Sequence, residues 1–357
     1  MNNHSAHNGP TSPAAAGSHV GKLPPARLQN LLKGRLGRTA QDIIVGPGAG
    51  LDCAVLQIAP GRYMAIAEDP IFPAPGLPLS LMGQFTVHIG ASDVAVAGVK
   101  PSHMTYTLLL PPNCPEADAA AIIDSIGRTA SELDIAIVGG HTGWYGAVAL
   151  PIVGGVTVWG YADEGGWISP GGAKSGDVLL MSKGPAIEAA ALLAVVWEER
   201  LKQDMNAATL RRLLERTTEI TVVDDALTAF ACGGVHAMHD ATEGGVLGGA
   251  WEMSDAAGLP LSLNLDAIPV PDDILAIGEA LNFNIWRAIS EGTLLAAVEP
   301  DAVPAVLKAW ERKNIPGFAL GRFDASLPAS TVHLNGHDHP LSEPLEDPFW
   351  ELFFAAL

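Results

Sequence analysis

Positive charge is scarce in this chain: 20 Lys and Arg stand against 39 Asp and Glu, a formal net charge of −19 at pH 7. Such a surface repels nucleic acid and anionic lipid at long range, so neither is expected as a general partner. Charge of either sign is sparse, at 17% beside 48% hydrophobic residues, which sets aside a disordered or fibrous chain and favours a compact α/β globule. Cysteine is nearly absent. Cys53, Cys114 and Cys232 lie far apart with no CxxC spacing, so neither a zinc site nor a disulfide framework is indicated, and the chain reads as cytoplasmic. No run reaches the roughly eighteen apolar residues of a membrane span. Residues 1–21 lack the basic and apolar regions of a signal peptide and read as a flexible arm. An acidic chain can still bind nucleotide phosphates where divalent cations bridge them to carboxylates, which makes clusters of Asp the feature to seek.

What is present is length, glycine and alternation. A chain of 357 residues fits two domains of roughly 150 residues each, and its 39 glycines suggest many tight turns and close backbone approaches. PPARLQNLLKGRLG predicts a short docking helix with Leu28, Leu31, Leu32 and Leu36 on one face. Strands are expected at 54–59 and 63–71, a closely packed helix of small residues at 79–99, and a strand at 102–111. An amphipathic helix follows at 116–134 with Ala120, Ile123, Ile126 and Ala130 inward, then a buried strand at 135–140. AVALPIVGGVTVWGYA reads as one strand or as a pair broken at Gly154-Gly155, and the Gly-, Pro- and Ser-rich stretch 164–177 as an interdomain hinge. Strands and helices alternate again beyond it, with one long helix around IEAAALLAVVWEERLKQ and a helical region at 205–232. The expected divisions are an arm (1–21), a first domain (22–165), a second domain (166–335) and an amphipathic tail (336–357).

Carboxylates recur where strands and helices end. HDATEGG places Asp240, Thr242 and Glu243 before a Gly-Gly pair and a helix, where free N–H groups also gather. These residues read either as helix caps or as a site for metal and phosphate. In GPGAGLD, glycines including Gly50 precede Asp52, which is either a turn residue or an oxygen donor for a hard cation. Asp69 ends an apolar strand, as an exposed turn or a metal ligand. Asp93 interrupts a helix of small apolar residues with Ile89, Gly90, Val96 and Ala97 at its helical neighbours, so its charge needs a partner from elsewhere, and Mg²⁺ would serve. VGGHTG sets His141 and Thr142 after a buried strand, where both suit phosphate or a satisfied loop.

Taken in order, GPGAGLDCAVL, AEDPI, IGASDVAVAGVKP, VGGHT, GGAKSGD, HDATEGG, IPV and EGTLLAAV make the chain resemble the aminoimidazole ribonucleotide synthetase (PurM-like) superfamily, which includes thiamine-monophosphate kinase, selenophosphate synthetase and HypE. The resemblance implies two α/β domains, the N-terminal sheet contributing to a β-barrel shared across a homodimer. It implies Mg²⁺ and ATP as cofactors, with Asp52, Asp69, Asp93 and Asp240 on the metal, and Gly50, Thr142, Thr242 and Glu243 on the nucleotide side. His141 and Asp240 are the catalytic candidates. Lys22 and Lys183 are each read as a phosphate-side charge or a solvated surface lysine. His141 stands where the kinase and HypE branches carry Asp, and the chain lacks the terminal cysteine of HypE, so thiocarboxamide dehydration is not expected. The expected activity is phosphorylation or ATP-dependent activation of a small-molecule or protein-borne acceptor. The alternative is a low-turnover nucleotide-binding accessory protein in maturation of a partner enzyme.

Overall fold

The computed structural model describes residues 20–48, 50–71, 77–148, 153–343 and 346–356. A short helix, α1 (Pro25–Leu32), precedes a six-stranded sheet made of β1 (Ile43–Val45), β2 (Ala54–Ala59), β3 (Arg62–Ile71), β4 (Pro101–Leu110), β5 (Ala136–Trp144) and β6 (Val153–Asp163). Its order is β1-β2-β3-β6-β4-β5, antiparallel throughout except for the parallel pair β4–β5. That pair is joined by a helical crossover, as parallel neighbours require. The crossover is α3 (Glu116–Glu132), which packs beside α2 (Leu79–Ala95).

Alternation decides which face of this sheet is covered. Ala65 and Ala67 on β3, Met104 and Leu108 on β4, and Val156 and Val158 on β6 are buried in the core into which α2 packs. Residues of the other parity, including Met64, Ile66, Trp159 and Tyr161, look outward from a face that no helix of this chain covers among the described residues. The helix α2 has little amphipathic contrast because it is buried nearly all round, and its glycines set how closely it approaches its neighbours. A Cβ on Gly83 would sit 2.6 Å from Ser125 Cβ and 2.7 Å from the Ile122 carbonyl of α3, and one on Gly90 would sit 2.8 Å from Val158 Cγ2.

The second sheet has seven strands: β7 (Val178–Ser182), β8 (Val235–Asp240), β9 (Leu261–Asn264), β10 (Leu294–Val298), β11 (Gly317–Phe323), β12 (Thr331–Leu334) and β13 (His337–Pro340). Their order is β13-β12-β9-β11-β7-β10-β8. LLAAV of β10 is buried at every position, the continuous apolar run of a strand covered on both faces. Around the sheet lie α4 (Ile187–Val196), α5 (Glu198–Asp204), α6 (Ala207–Glu215), α7 (Val223–Ala231), α8 (Gly245–Ala257), α9 (Asp272–Leu281), α10 (Val303–Arg312) and α11 (Pro348–Ala355). The two halves meet where α2 packs on α7 and β8, and Ser92 Oγ accepts the Val222 amide at 3.1 Å.

Several local expectations need correction. The docking helix ends at Leu32, leaving Leu36 outside it and 56% exposed, and Leu31 also faces solvent. On α3 the buried residues are Ala119, Ile122, Ser125, Ile126, Thr129 and Ala130, so the stripe is rotated and Ala120 is exposed. The long helix divides at Trp197 into α4 and α5, and the region 205–232 divides into α6 and α7 around a 3₁₀ turn. Strand β6 runs unbroken through Gly154 and Gly155, while residues 149–152 of that segment and residues 1–19 of the arm lie outside the described residues. Because Gly83 allows α2 to lie against α3, Gly83→Ala is expected to lower the melting temperature by several degrees, roughly 1–3 kcal/mol of overpacking, as read by thermal denaturation.

Candidate active site at the seam between the two sheets

Five acidic side chains from both halves converge where β8, β3 and α2 meet. Asp240 is the last residue of β8, opposite Leu294 of β10, and Glu291 lies in the turn just before β10. Asp52 comes from the loop entering β2, Asp69 from the far end of β3, and Asp93 from the last turn of α2. Asp93 is 8% exposed, and Asp240 and Glu291 are each 1% exposed. Ligand atoms of Asp52, His239 and Asp240 all lie within 4.8 Å of one another. Asp69 and Asp93 are within hydrogen-bond reach of each other, as are Asp240 and Glu291. Asp69 Oδ2, both carboxylate oxygens of Asp240 and both of Glu291 are buried with no cationic or amide donor among the described residues, only neighbouring carboxyls and, for Glu291, the Ser92 hydroxyl. Desolvated anionic oxygens left in this state are costly, and a donor set of hard oxygens suits Mg²⁺. The residues therefore fit the cation that the resemblance implies.

The electrostatics follow from crowding. Burial, with Asp69 and Asp240 alongside, raises the Asp93 carboxyl well above its ordinary range. Burial also lifts Asp69 to about 7, against a hydrogen bond with Asp93 that lowers it and together with the charges of Asp240 and Asp52. Glu291 is raised well up by burial and by Asp240, and Glu188 on α4 is pushed to about 8 by burial although its Oε2 accepts the Glu291 amide at 3.2 Å. Asp52 stands at about 6, burial raising it against the opposing charge of His239. Burial also raises the Cys53 thiol, with the charges of Asp52 and Asp240 adding to it, which leaves that cysteine an inert core residue.

Cationic support comes from one side. His239 of β8, 1% exposed, points Nδ1 at Asp52 at 2.8 Å and Nε2 at Glu252 of α8 at 2.9 Å. Burial disfavours its charged form, but the two carboxylates outweigh that and raise its pKa well above the ordinary value. Burial alone would raise Glu252, yet the hydrogen bond from His239 and the charge of Lys22 hold it down to about 2. Lys22 Nζ reaches Glu252 at 3.4 Å, and the Lys22 amide donates to Glu243 Oε2 at 2.6 Å. Trp350 Nε1 of α11 donates to the same Glu243 oxygen at 3.1 Å. Asp347, the N-cap of α11 through the Phe349 amide at 2.9 Å, also accepts the Gly244 amide at 2.8 Å and so ties the turn before α8 to α11.

The sequence candidates are thus partly gathered and partly scattered. Asp52, Asp69, Asp93 and Asp240 come together. Gly50 has φ +69°, and a Cβ there would lie 3.0 Å from Glu252 Cβ and 3.2 Å from the Glu252 carbonyl, so its evident task is to seat the Asp52 loop on α8. Glu243 ties the segment around Lys22 to α11, and Thr242 lies in the turn between β8 and α8, its carbonyl accepting the Gly245 amide at 2.9 Å. His141 and Thr142 sit on β5, the exposed edge strand, where His141 Nε2 meets the Tyr145 hydroxyl at 2.5 Å. Among the described residues no hydrogen bond or ion pair joins His141 to the acidic cluster. Both readings of Lys183 need correction: it is 11% exposed, its ammonium donates to Asp225 at 2.7 Å and to the carbonyls of Thr221 and Gly292, and it is a structural staple. Sequence reasoning did not single out His239, Glu252, Glu291, Glu188 or Asp347. For Glu291 the signal was present in EGTLL, a lone acid ahead of a fully apolar strand.

Models of the AIR synthase related protein match this chain twice, the N-terminal domain over residues 50–162 and the C-terminal domain over 174–328. A protein of Methanocaldococcus jannaschii named for hydrogenase expression/formation is 24% identical over 336 residues, covering 89% of this chain and 95% of its own length. Carbamoyl dehydratase HypE of Escherichia coli is 29% identical over 300 residues, with 81% of each chain covered. Selenide, water dikinase of Methanococcus maripaludis is 25% identical over 320 residues, covering 84% of this chain and 91% of its own. The fold is that of HypE in a HypE–HypF complex (TM-score 0.70, 20% identity, 89% and 100% covered) and of AaThiL complexed with AMPPCP and TMP (0.68, 16%, 90% and 97%). It is also that of hydrogenase maturation protein HypE in complex with ATP (0.65, 19%, 92% and 97%).

Crowded acids give the cation-free protein a defined pH response. A carboxyl whose folded pKa is raised keeps its proton when the unfolded chain has lost its own, so stability falls from the ordinary carboxylate value near 4 up to the folded value. For Asp69 that window ends at about 7. The melting temperature of the cation-free protein is expected to fall across this window, and Asp69→Asn to remove part of the fall. A variant curve parallel to wild type would refute the assignment.

Proposed function

We propose that this chain, which belongs to the AIR synthase related family, is an Mg²⁺-dependent ATP-using enzyme that phosphorylates or activates a small molecule or a group carried on a partner protein. The observation that carries this reading is the convergence of buried carboxyls in which Asp69 Oδ2 and both oxygens of Asp240 and Glu291 meet no Lys, Arg, His or amide donor among the described residues. Structural carboxylates at such depth are normally paired, and the cations His239 and Lys22 make their contacts at Asp52 and Glu252. Relatives named as a dikinase and a dehydratase, and a structural neighbour seen with ATP, agree with it.

When bound, Mg²⁺ supplies charge neutralisation and alignment for a γ-phosphoryl group. The protein's own residues do the remainder. Asp52, Asp69, Asp93 and Asp240 hold the cation. The turn from Thr242 to Gly244 sets the start of α8 beside them, and helix N-termini favour anions. Lys22, raised above its ordinary pKa by Glu252, Asp52 and Asp240 against the effect of burial, brings positive charge to the same corner. Burial excludes water from the acids and strengthens every interaction among them. His141 and Thr142, on the two faces of the exposed edge strand, act in this reading only where a second copy closes over that edge and the open face beside it. That face, with Trp159 and Tyr161 outward, supports a homodimer.

The alternative of a low-turnover accessory protein is favoured by one observation, the separation of His141 from the acids. No helix among the described residues is long and apolar enough to cross a membrane. Equilibrium binding should show Mg²⁺-dependent ATP affinity that falls tenfold or more in both Asp93→Ala and Asp240→Ala, roughly 1.4 kcal/mol or more each. Binding untouched by both substitutions would sink the site. Phosphate release across a panel of acceptors then separates the enzyme from the accessory, because an accessory binds without any acceptor raising turnover. Sedimentation should give a dimer that Trp159→Asp converts to monomer, and a wild-type monomer would contradict the dimer.

A further inference from the structure

His239 is buried and bonded at both ring nitrogens, and its place at the end of β8 gives it a specific task. Its ring lies between two carboxylates that belong to different parts of the fold: Asp52 on the loop entering the first sheet and Glu252 on α8 of the second half. The ring is 1% exposed, and the two carboxylates are 8% and 4% exposed. Gly50 brings the Asp52 loop down onto α8 at Glu252 itself, so the loop, the ring and the helix form one packed unit. Asp52, His239 and Asp240 also form the one group of possible metal ligands found among the described residues, which poses the question of whether the imidazole is itself a ligand. Geometry answers it. An imidazole ligand needs a nitrogen lone pair facing the ion, and both nitrogens of His239 face carboxylates.

We propose that His239 is a positioning residue: its Nδ1–H holds the Asp52 carboxylate beside Asp240, in the orientation in which the two take a divalent cation, while its Nε2–H on Glu252 fixes the ring. This rests on the reading of the acidic cluster as a cation site. Metal-ligating carboxylates that are themselves hydrogen-bonded keep their orientation, and loss of such a partner typically weakens metal binding by about 10–100-fold. The interaction also runs between the two halves of the chain, so the ligand set is completed only when the loop before β2 is docked on α8.

Two near-isosteric substitutions separate the two arms of the ring. Asparagine places its amide nitrogen near the position of Nδ1, and glutamine near that of Nε2. His239→Asn keeps the donor to Asp52 and gives up the donor to Glu252, whereas His239→Gln does the reverse. Mn²⁺ binding without nucleotide, followed by electron paramagnetic resonance, should stay within about threefold of wild type in His239→Asn and weaken about tenfold or more in His239→Gln. Equal loss in both, loss confined to the Asn variant, or no loss in either overturns the positioning role. If wild type binds no Mn²⁺, the cation-site reading fails first, and that result is distinct from any pattern among the variants. A measurement on wild type alone keeps the proposal testable if a variant does not fold. Pulsed electron paramagnetic resonance of the Mn²⁺-loaded protein should lack the strong ¹⁴N coupling of a directly bound imidazole, and finding that coupling would make His239 a ligand and refute the proposal.

Discussion

Everything near the seam of this molecule is arranged around a deficit of positive charge. Asp69, Asp93 and Glu291 are crowded around Asp240 in a largely dry space, where burial and the neighbouring charges raise the three carboxyls above their ordinary range. Folding by itself gains nothing from such an arrangement, since desolvation and like-charge repulsion both oppose it. The surrounding structure bears the load. Strand β10 is buried at every position, α2 packs against α3 through Gly83, and Ser92 ties the two halves together beside Glu291. Apolar packing of this extent supplies the stability against which a strained polar centre can persist.

Much of this was readable in the residues themselves. Asp93 stood out because a helix of small apolar residues offered it no basic neighbour, and the structure sets Asp69, Asp240, Asp52 and Glu291 near it. The two-sheet α/β architecture was legible because strand and helix periods alternate clearly on either side of the stretch 164–177. Exact helical faces were not. On α3 the alanines are spread evenly enough that Ala119 and Ala120 are equally good candidates for burial, and only packing against α2 decides between them.

The illegible part of the site is the part made by tertiary contact. His239 and Glu252 are thirteen positions apart, one on a strand and one on a helix, and Asp52 is 187 positions from His239, so no local spacing announces their bridge. Lys183 misled in another way. Its three partners come from Thr221, Asp225 and Gly292, all remote in sequence, and only their convergence shows an ammonium spent on structure. Glycine shows the same asymmetry. Gly50, read as room for a ligand, also makes room for α8.

The two cations that meet Glu252 differ in their surroundings. His239 is sealed from solvent, while the Lys22 side chain is 42% exposed beside a carboxylate that is 4% exposed. Dissolved ions screen the half-exposed pair over about 8–10 Å at ordinary ionic strength and barely reach the sealed one. Raising the salt concentration therefore loosens the hold of the segment around Lys22 on α8 while leaving the join between the Asp52 loop and β8 intact.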